Sequence, residues 1–248
     1  MPDAVVVSHI VKRFPVDSAE GEPQTRGGFF YAIDDVSFHI TRGSCALICG
    51  ANGSGKSLLM SIIAALEAPD SGTVHTDGRV GLIFQDADSQ ILGETPREDV
   101  AFGVRNVGVP KNEINERVTR ALAETGLETR TDYPARTLSG GEKRRLAVAG
   151  VLAMDAEIII FDEPYANMDY CGVLQVNRQI QRLHADGKTI IILTHEIEKC
   201  LGLADSFIAL YRGKKVFEGG PATALEQNLE AWGIHHPRAE STGDLLWV

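Results

Sequence analysis

A glycine-rich loop at residues 50–57 constrains the fold of this chain more than any other feature. The loop fits the pattern G-x-x-x-x-G-K-[ST] at every fixed position, between an apolar run at 45–49 and a helix-forming run at 58–66. Glycines allow successive backbone N–H groups to face phosphate oxygens, and the start of the following helix adds a positive dipole end. The sequence therefore predicts a nucleoside triphosphate site on a strand–loop–helix unit. The residues expected to contact the nucleotide are Gly50, Ala51, Asn52, Gly53, Ser54, Gly55, Lys56, Ser57 and Leu58.

Four side chains around this loop have predicted chemical roles. Lys56 is expected to reach the outer phosphates, and the Ser57 hydroxyl to ligate Mg²⁺. An apolar run at 158–161 ends in Asp162 and Glu163, which a parallel sheet would place at its ligand-binding edge. Asp162 can hold Mg²⁺, and Glu163 can act as the general base toward an attacking water. Alone, the two acids could equally be solvated, but the phosphate loop favours the catalytic interpretation.

The bulk composition excludes several classes of protein. The 248 residues are 44% hydrophobic and 23% charged, as in globular proteins with one large α/β domain or two small ones. No apolar run approaches the roughly 20 residues of a membrane span, and no signal peptide is expected. A net charge of −10 argues against a general nucleic-acid-binding surface. Any role at a membrane would therefore pass through a partner.

The four cysteines are predicted to be buried, reduced thiols rather than metal ligands. Each lies in or beside a predicted core element, and no histidine stands at ligand spacing. They are Cys45, Cys49, Cys171 and Cys200.

Hydrophobic periodicity predicts strands that alternate with helices, which is typical of a largely parallel sheet. A polar loop or insertion is expected near 16–28, and a turn at 69–73. The predicted strands are 5–7, 36–40, 45–49, 80–84, 158–162, 189–193 and 207–211, and the predicted later helices are 172–185, 196–203 and 222–232.

A mostly helical subdomain is predicted from residue 86 to about residue 150. Thr95, Pro96 and Glu98 have the N-cap, N1 and N3 pattern of a helix start. The predicted organisation is a nucleotide-binding domain over 1–220 that includes this subdomain. A helical tail over 221–248, frayed after about residue 235, is expected to follow it.

The segment Leu-Ser-Gly-Gly-Glu at 138–142 predicts a second anion-binding helix start. Ser139 and Glu142 form a capping-box pair, while Gly140 and Gly141 leave backbone N–H groups uncovered. One nucleotide does not need two such cradles from one subunit, so this one could serve the nucleotide of another subunit. An ordinary helix cap explains the same residues, and physical chemistry alone favours that alternative.

Taken in order, these motifs resemble those of the ATP-binding cassette (ABC) ATPases, over about residues 5–220, with Leu-Ser-Gly-Gly as the family signature. The resemblance implies an α/β phosphate-loop fold with an N-terminal antiparallel β-subdomain and an inserted helical subdomain. It implies that Gln85 reaches Mg²⁺ or the attacking water and that His195 contacts the γ-phosphate. Asp169 would couple two sites across a dimer. As isolated residues, Gln85 and His195 would be a solvated turn residue and a polar strand cap.

The family also has an aromatic side chain that stacks on the adenine. Phe14 occupies the matching position if residues 16–30 are an insertion, and Tyr31 is the competing candidate. Core packing explains Phe14 equally well.

A finer resemblance concerns residues 84–103, which look like the ATPase subunits of energy-coupling factor (ECF) transporters. It implies ATP hydrolysis at the cytoplasmic face of the membrane, coupled to import of a vitamin or a transition metal ion. The implied partners are a transmembrane coupling protein, a membrane substrate-binding subunit and a second ABC ATPase in a homodimer or heterodimer, with no nucleic acid. Another ABC importer or exporter, or a non-transport ABC ATPase, is the alternative.

Overall fold

The computed structural model describes residues 2–16 and 24–237, which contain ten strands and seven α-helices. The strands are β1 (Asp3–Pro15), β2 (Thr25–Arg26), β3 (Phe29–Thr41), β4 (Cys45–Cys49), β5 (Ser71–Thr76), β6 (Val80–Ile83), β7 (Ile158–Asp162), β8 (Thr189–Thr194), β9 (Ser206–Tyr211) and β10 (Lys214–Gly219). The helices are α1 (Lys56–Ile63), α2 (Ala87–Gln90), α3 (Pro96–Asn106), α4 (Lys111–Glu124), α5 (Gly140–Ala153), α6 (Tyr170–Ala185) and α7 (Pro221–Leu225).

An antiparallel sheet with the strand order β2-β3-β1-β5 forms the N-terminal part. Buried positions such as Val5, Val7, Phe38 and Ile40 alternate with more exposed ones along β1 and β3, as expected when one face covers a core. This sheet confirms the expected antiparallel β-subdomain, although β1 extends well beyond the predicted strand at 5–7.

A second sheet with the strand order β10-β9-β4-β8-β7-β6 carries the nucleotide motifs. Strands β4, β6, β7, β8 and β9 are parallel, and only β10 pairs antiparallel. The central strands are continuous apolar runs, and every residue of β4, β7 and β8 is buried. Such runs suit a sheet that is covered on both faces, because neither face meets water.

The helical subdomain has a core of its own, and α5 joins it to the main sheet. Leu146 and Ala149 of α5 pack with α3 and α4, whereas Val148 and Val151 pack against the sheet. From Leu146 to Ala153 the helix is therefore apolar nearly all round, which is typical of a helix buried on several sides. Thr95 caps α3 as predicted, since its hydroxyl accepts a 3.3 Å hydrogen bond from the Glu98 backbone N–H.

Residues 221–237 pack against the main sheet. Ala224, Leu229 and Ile234 are buried in the same core as β4 and β8. The predicted tail helix is interrupted, because α7 ends at Leu225 and a 3₁₀ turn follows at Leu229–Trp232. The expected frayed end falls largely on residues 238–248, which lie outside the described residues. None of the helices in the described ranges is long and apolar enough to cross a membrane.

Several local predictions are wrong. Cys171 is exposed rather than buried, because it lies in the first turn of α6 on the side away from the buried Val173 and Val176. The helix predicted at 196–203 consists of two 3₁₀ turns, and the predicted turn at 69–73 contains the start of β5. Strand β10, which forms a hairpin with β9, was not predicted.

Candidate functional site

The carboxyl ends of the parallel strands bring several predicted residues to one edge of the second sheet. Strand β4 runs into the loop at 50–57, and β7 ends at Asp162. Strand β8 pairs with both of them and is followed by His195. This topology places the loop, the two acids and the histidine side by side.

Close backbone approach explains two glycines of the loop. A Cβ atom at Gly50 would lie 2.2 Å from the carbonyl oxygen of Leu210, and one at Gly55 would lie 2.8 Å from that of Ala32. Neither position has room for a side chain, and Gly55 has a φ of +101° that only glycine adopts readily. The loop is thus held between β9 and β3.

Lys56 is buried at the centre of this arrangement. Its Nζ donates to the carbonyl oxygens of Gly50, at 2.7 Å, and Ala51, at 3.3 Å. The same ammonium lies 3.5 Å from Glu163 Oε1. A buried ammonium is stable only with such partners, and the contact links the predicted phosphate-binding lysine to the predicted base.

Ser57 and Asp162 come together as the predicted magnesium ligands. The Ser57 hydroxyl donates to Asp162 Oδ1 at 3.3 Å. Burial raises the pKa of the Asp162 carboxyl above its usual range, and the Ser57 hydrogen bond opposes that shift. A hydroxyl and a carboxylate oxygen are hard donors of the kind that Mg²⁺ prefers. The nearby Ser54 hydroxyl is buried and has no hydrogen-bond partner among the described residues.

Glu163 is held in place by the end of β8. Its carboxylate accepts a 3.0 Å hydrogen bond from the Thr194 hydroxyl, and His195 Nδ1 lies 3.0 Å from Glu163 Oε1. Glu163 has a φ of +44°, a conformation that is uncommon outside glycine and frequent at functional sites. Thr194 was not predicted as a site residue, and its position immediately before His195 is the signal in the sequence that points to it.

Gln85 and Asp169 are both exposed on the surface. Gln85 follows β6, and its carbonyl oxygen accepts a 3.3 Å hydrogen bond from Arg144 of α5. Arg144 also contacts the sulfur of Met168, next to Asp169. Asp169 caps α6, since its carboxylate accepts a hydrogen bond from the Gly172 N–H. Arg144, which the sequence analysis missed, thus links the segments that carry Gln85 and Asp169.

The start of α5 has the predicted capping box. The Ser139 hydroxyl accepts a 3.3 Å hydrogen bond from the Glu142 N–H, and Glu142 Oε2 accepts one of 2.8 Å from the Ser139 N–H. A Cβ at Gly140 would meet no atom within 4 Å, so the helix start is open to a ligand. Ser139, Gly140 and Gly141 line a groove that Gln85 and Asp169 also line and that no residue of 50–57 lines.

The two adenine candidates both lie near one edge of the first sheet. Phe14 is 42% exposed, with the Lys12 ammonium 5.7 Å from the centre of its ring. The guanidinium of Arg26 lies 3.7 Å from the centre of the Tyr31 ring. Tyr31 precedes Ala32, the residue that contacts Gly55 of the loop. The choice between Phe14 and Tyr31 stays a prediction, as do the other assigned site roles.

The parallel sheet, the glycine loop and the Lys56–Glu163–His195 cluster define a phosphate-loop nucleoside triphosphatase. Residues 33–166 match the model of the ABC transporter family. The chain belongs to this family, and the resemblance seen in the sequence is confirmed.

Individual relatives agree with the family assignment. The chain is 38% identical to an energy-coupling factor transporter ATP-binding protein of Mycoplasma mobile over 237 residues, which cover 88% of this chain and 85% of the relative. It is 37% identical to a cobalt import ATP-binding protein of Rhodobacter capsulatus over 226 residues, 85% of this chain and 80% of the relative.

Solved structures agree as well. One is a protein from Clostridium perfringens described as part of an ABC transporter complex, with a TM-score of 0.77, 29% identity and 92% coverage of both chains. Another is a dimeric ATP-binding cassette in a post-hydrolysis state bound to ADP and Pi, with a TM-score of 0.73 and 26% identity, covering 88% of this chain and 98% of the other. The expected α/β fold is confirmed, and the chain is an ATPase of the ABC type.

Proposed function

We propose that this chain is the ATPase subunit of an ECF-type importer that takes up a vitamin or a transition metal ion. The observation that carries the proposal is the similarity, over most of the chain, to an energy-coupling factor ATP-binding protein and to a cobalt import ATP-binding protein. The cluster at the sheet edge supplies the groups that such an activity needs.

Within one chain, the loop at 50–57 binds the phosphates of ATP and Lys56 neutralises their charge. Glu163 accepts a proton from the attacking water, and the contacts from Thr194 and His195 hold its carboxylate in position. Mg²⁺, when bound, would neutralise charge on the phosphates, and Ser57, Asp162 and Gln85 are the residues that would hold it.

A second chain completes each site in this proposal. Gly140 and Gly141 present uncovered N–H groups at the start of α5, which suits a phosphate. With Ser139 they line a groove that no residue of the loop at 50–57 lines. A dimeric ATP-binding cassette among the similar structures supports a two-chain arrangement. Since this chain carries both halves of the site, we propose that two copies of it form a homodimer. The alternative is a heterodimer with a related ABC ATPase.

The membrane partner is a transmembrane coupling protein at the cytoplasmic face, joined by a membrane subunit that binds the transported molecule. Residues 84–103 are the proposed contact, and they expose the apolar side chains Leu92 and Phe102 on the surface. Closure of the ATPase dimer on ATP and its reopening after hydrolysis would drive this partner.

Purification of the complete protein from detergent-solubilised native membranes tests the proposal. We expect a polytopic coupling protein and a small membrane-embedded binding protein to copurify, and the binding protein would indicate the substrate. A permease without such a binder would overturn the ECF assignment but keep a transport role. The absence of any membrane partner would favour a soluble ABC ATPase.

A further inference from the structure

The segment 229–234 near the C-terminus touches the phosphate loop. Gly233 has a φ of +69°, and a Cβ built on it would lie 2.8 Å from the Cβ of Ala51. Non-bonded carbon atoms are at optimal separation at about 3.5–4.0 Å. The backbone of Gly233 therefore packs directly against the Ala51 methyl group, with no room for a side chain between them.

This segment is fixed to the protein core. Leu229 and Ile234 are buried, and the Ile234 N–H donates to the Leu229 carbonyl oxygen at 3.1 Å. Trp232 stacks on Phe217, with ring centres 6.0 Å apart. Because packing fixes the turn on both sides, the Gly233 backbone cannot easily move away from Ala51.

Ala51 in turn is bonded to the part of the loop that holds the key ammonium. Its carbonyl oxygen accepts a 3.1 Å hydrogen bond from the Ser54 N–H and a 3.3 Å one from Lys56 Nζ. A displacement of Ala51 would therefore shift the turn of the loop and the lysine together.

We propose that Gly233 is a positioning residue for nucleotide binding, and that residues 229–234 support the phosphate loop through the Gly233–Ala51 contact. The proposal rests on the proposed role of residues 50–57 as the nucleotide loop. It assigns part of the C-terminal segment to the active site, although this segment follows the last strand of the sheet and carries no nucleotide motif.

The test is the affinity of the full-length chain for ADP, measured by isothermal titration calorimetry. Gly233→Ala forces a methyl group against Ala51, and we expect the dissociation constant to rise roughly tenfold, which corresponds to about 1.4 kcal/mol. Gly126→Ala is the matched control, since Gly126 has a φ of +68° and open space around its Cβ position. Both glycines donate 3.0 Å hydrogen bonds to the carbonyl three residues earlier. The control should bind ADP like the wild type.

A second substitution separates the contact from general backbone strain. Ala51→Gly removes the methyl group that Gly233→Ala would strike, so the double variant should recover most of the lost affinity. Equal affinity of Gly233→Ala and Gly126→Ala would overturn the proposal. If Gly233→Ala folds, a double variant that binds ADP no more tightly than Gly233→Ala would also overturn the proposal. If Gly233→Ala does not fold, the double variant is expected to fold, and its failure to fold would overturn the proposal.

Lys56→Ala in the same titration distinguishes this proposal from the proposed function. A normal ADP affinity of Lys56→Ala would refute the nucleotide loop itself, whatever Gly233→Ala shows. A weakened Lys56→Ala together with an unaffected Gly233→Ala would refute only the support by residues 229–234.

Discussion

At the scale of single residues, Glu163 contacts both the Lys56 ammonium and the His195 ring of the proposed site. Its carboxylate lies 3.5 Å from the Lys56 ammonium and also contacts Thr194 and His195. These contacts fix the carboxylate while leaving it beside the proposed phosphate-binding loop. A general base needs this combination, because the proton acceptor must be both oriented and close to the reacting atoms.

Glu163→Gln keeps the size of the side chain but removes its ability to accept a proton. We expect the rate of phosphate release from ATP to fall by about 100-fold or more, while ADP affinity changes little. Glu157→Gln, at the opposite end of β7, is the control and should hydrolyse ATP normally. Unaltered turnover of Glu163→Gln would remove Glu163 as the base.

The sequence predicted Glu163 from its position at the end of an apolar strand behind a phosphate loop. Its positive φ and its bond to Thr194 could not be predicted, because both depend on how β7 pairs with β8. The contact between Gly233 and Ala51 was missed for the same reason. It joins residues that are far apart in sequence, and no local pattern encodes such a contact.

At the scale of elements, α5 combines an exposed start, which is proposed to bind a nucleotide, with a buried remainder. Its capping box satisfies the N–H groups of Ser139 and Glu142 and leaves those of Gly140 and Gly141 uncovered. Its later residues pack into both cores. The sequence predicted the capping box because its pattern is local. It did not predict that α5 would face two cores, since that depends on tertiary packing.

Ser139→Ala removes the hydroxyl that accepts from the Glu142 N–H. We expect the free energy of unfolding to fall by about 1 kcal/mol, as for other lost N-caps. Urea denaturation monitored by circular dichroism measures the change. Thr119→Ala, on the exposed surface of α4, should change it by less than about 0.5 kcal/mol. A loss no greater than that of the control would show that the cap does not stabilise α5.

The same cap gives a pH dependence. The hydrogen bond from the Ser139 N–H lowers the pKa of Glu142 from its ordinary value of 4.5. Because the folded pKa is the lower one, Glu142 stabilises the fold above its ordinary pKa and loses this effect as the pH falls through the lowered value. The difference in unfolding free energy between the wild type and Glu142→Gln should therefore stay constant from neutral pH to about 4.5 and shrink as the pH falls further. Solvent screening keeps this change small. A difference in unfolding free energy that does not shrink at acid pH would contradict the prediction.

At the scale of the whole molecule, the two halves of the proposed site do not share a groove. The loop at 50–57 follows β4 in the interior of the sheet, whereas Ser139 caps α5 of the helical subdomain. The order of the motifs made the fold predictable, because the family resemblance covers nearly the whole chain. The sequence could not show whether the second half comes from an identical chain, since both halves are present in each.

Complementation between two inactive variants tests this central claim most directly. Lys56→Ala damages the loop of one chain. Gly140→Asp places a carboxylate at the helix start, where a Cβ has no neighbouring atom within 4 Å and the added negative charge would repel a phosphate. In a mixed dimer, one site combines the intact loop of the Gly140→Asp chain with the intact helix start of the Lys56→Ala chain. We predict that each variant alone is inactive and that mixing them restores ATP hydrolysis to a substantial fraction of the wild-type rate. A mixture that stays inactive, although the variants associate with each other, would contradict a site shared between two copies of this chain.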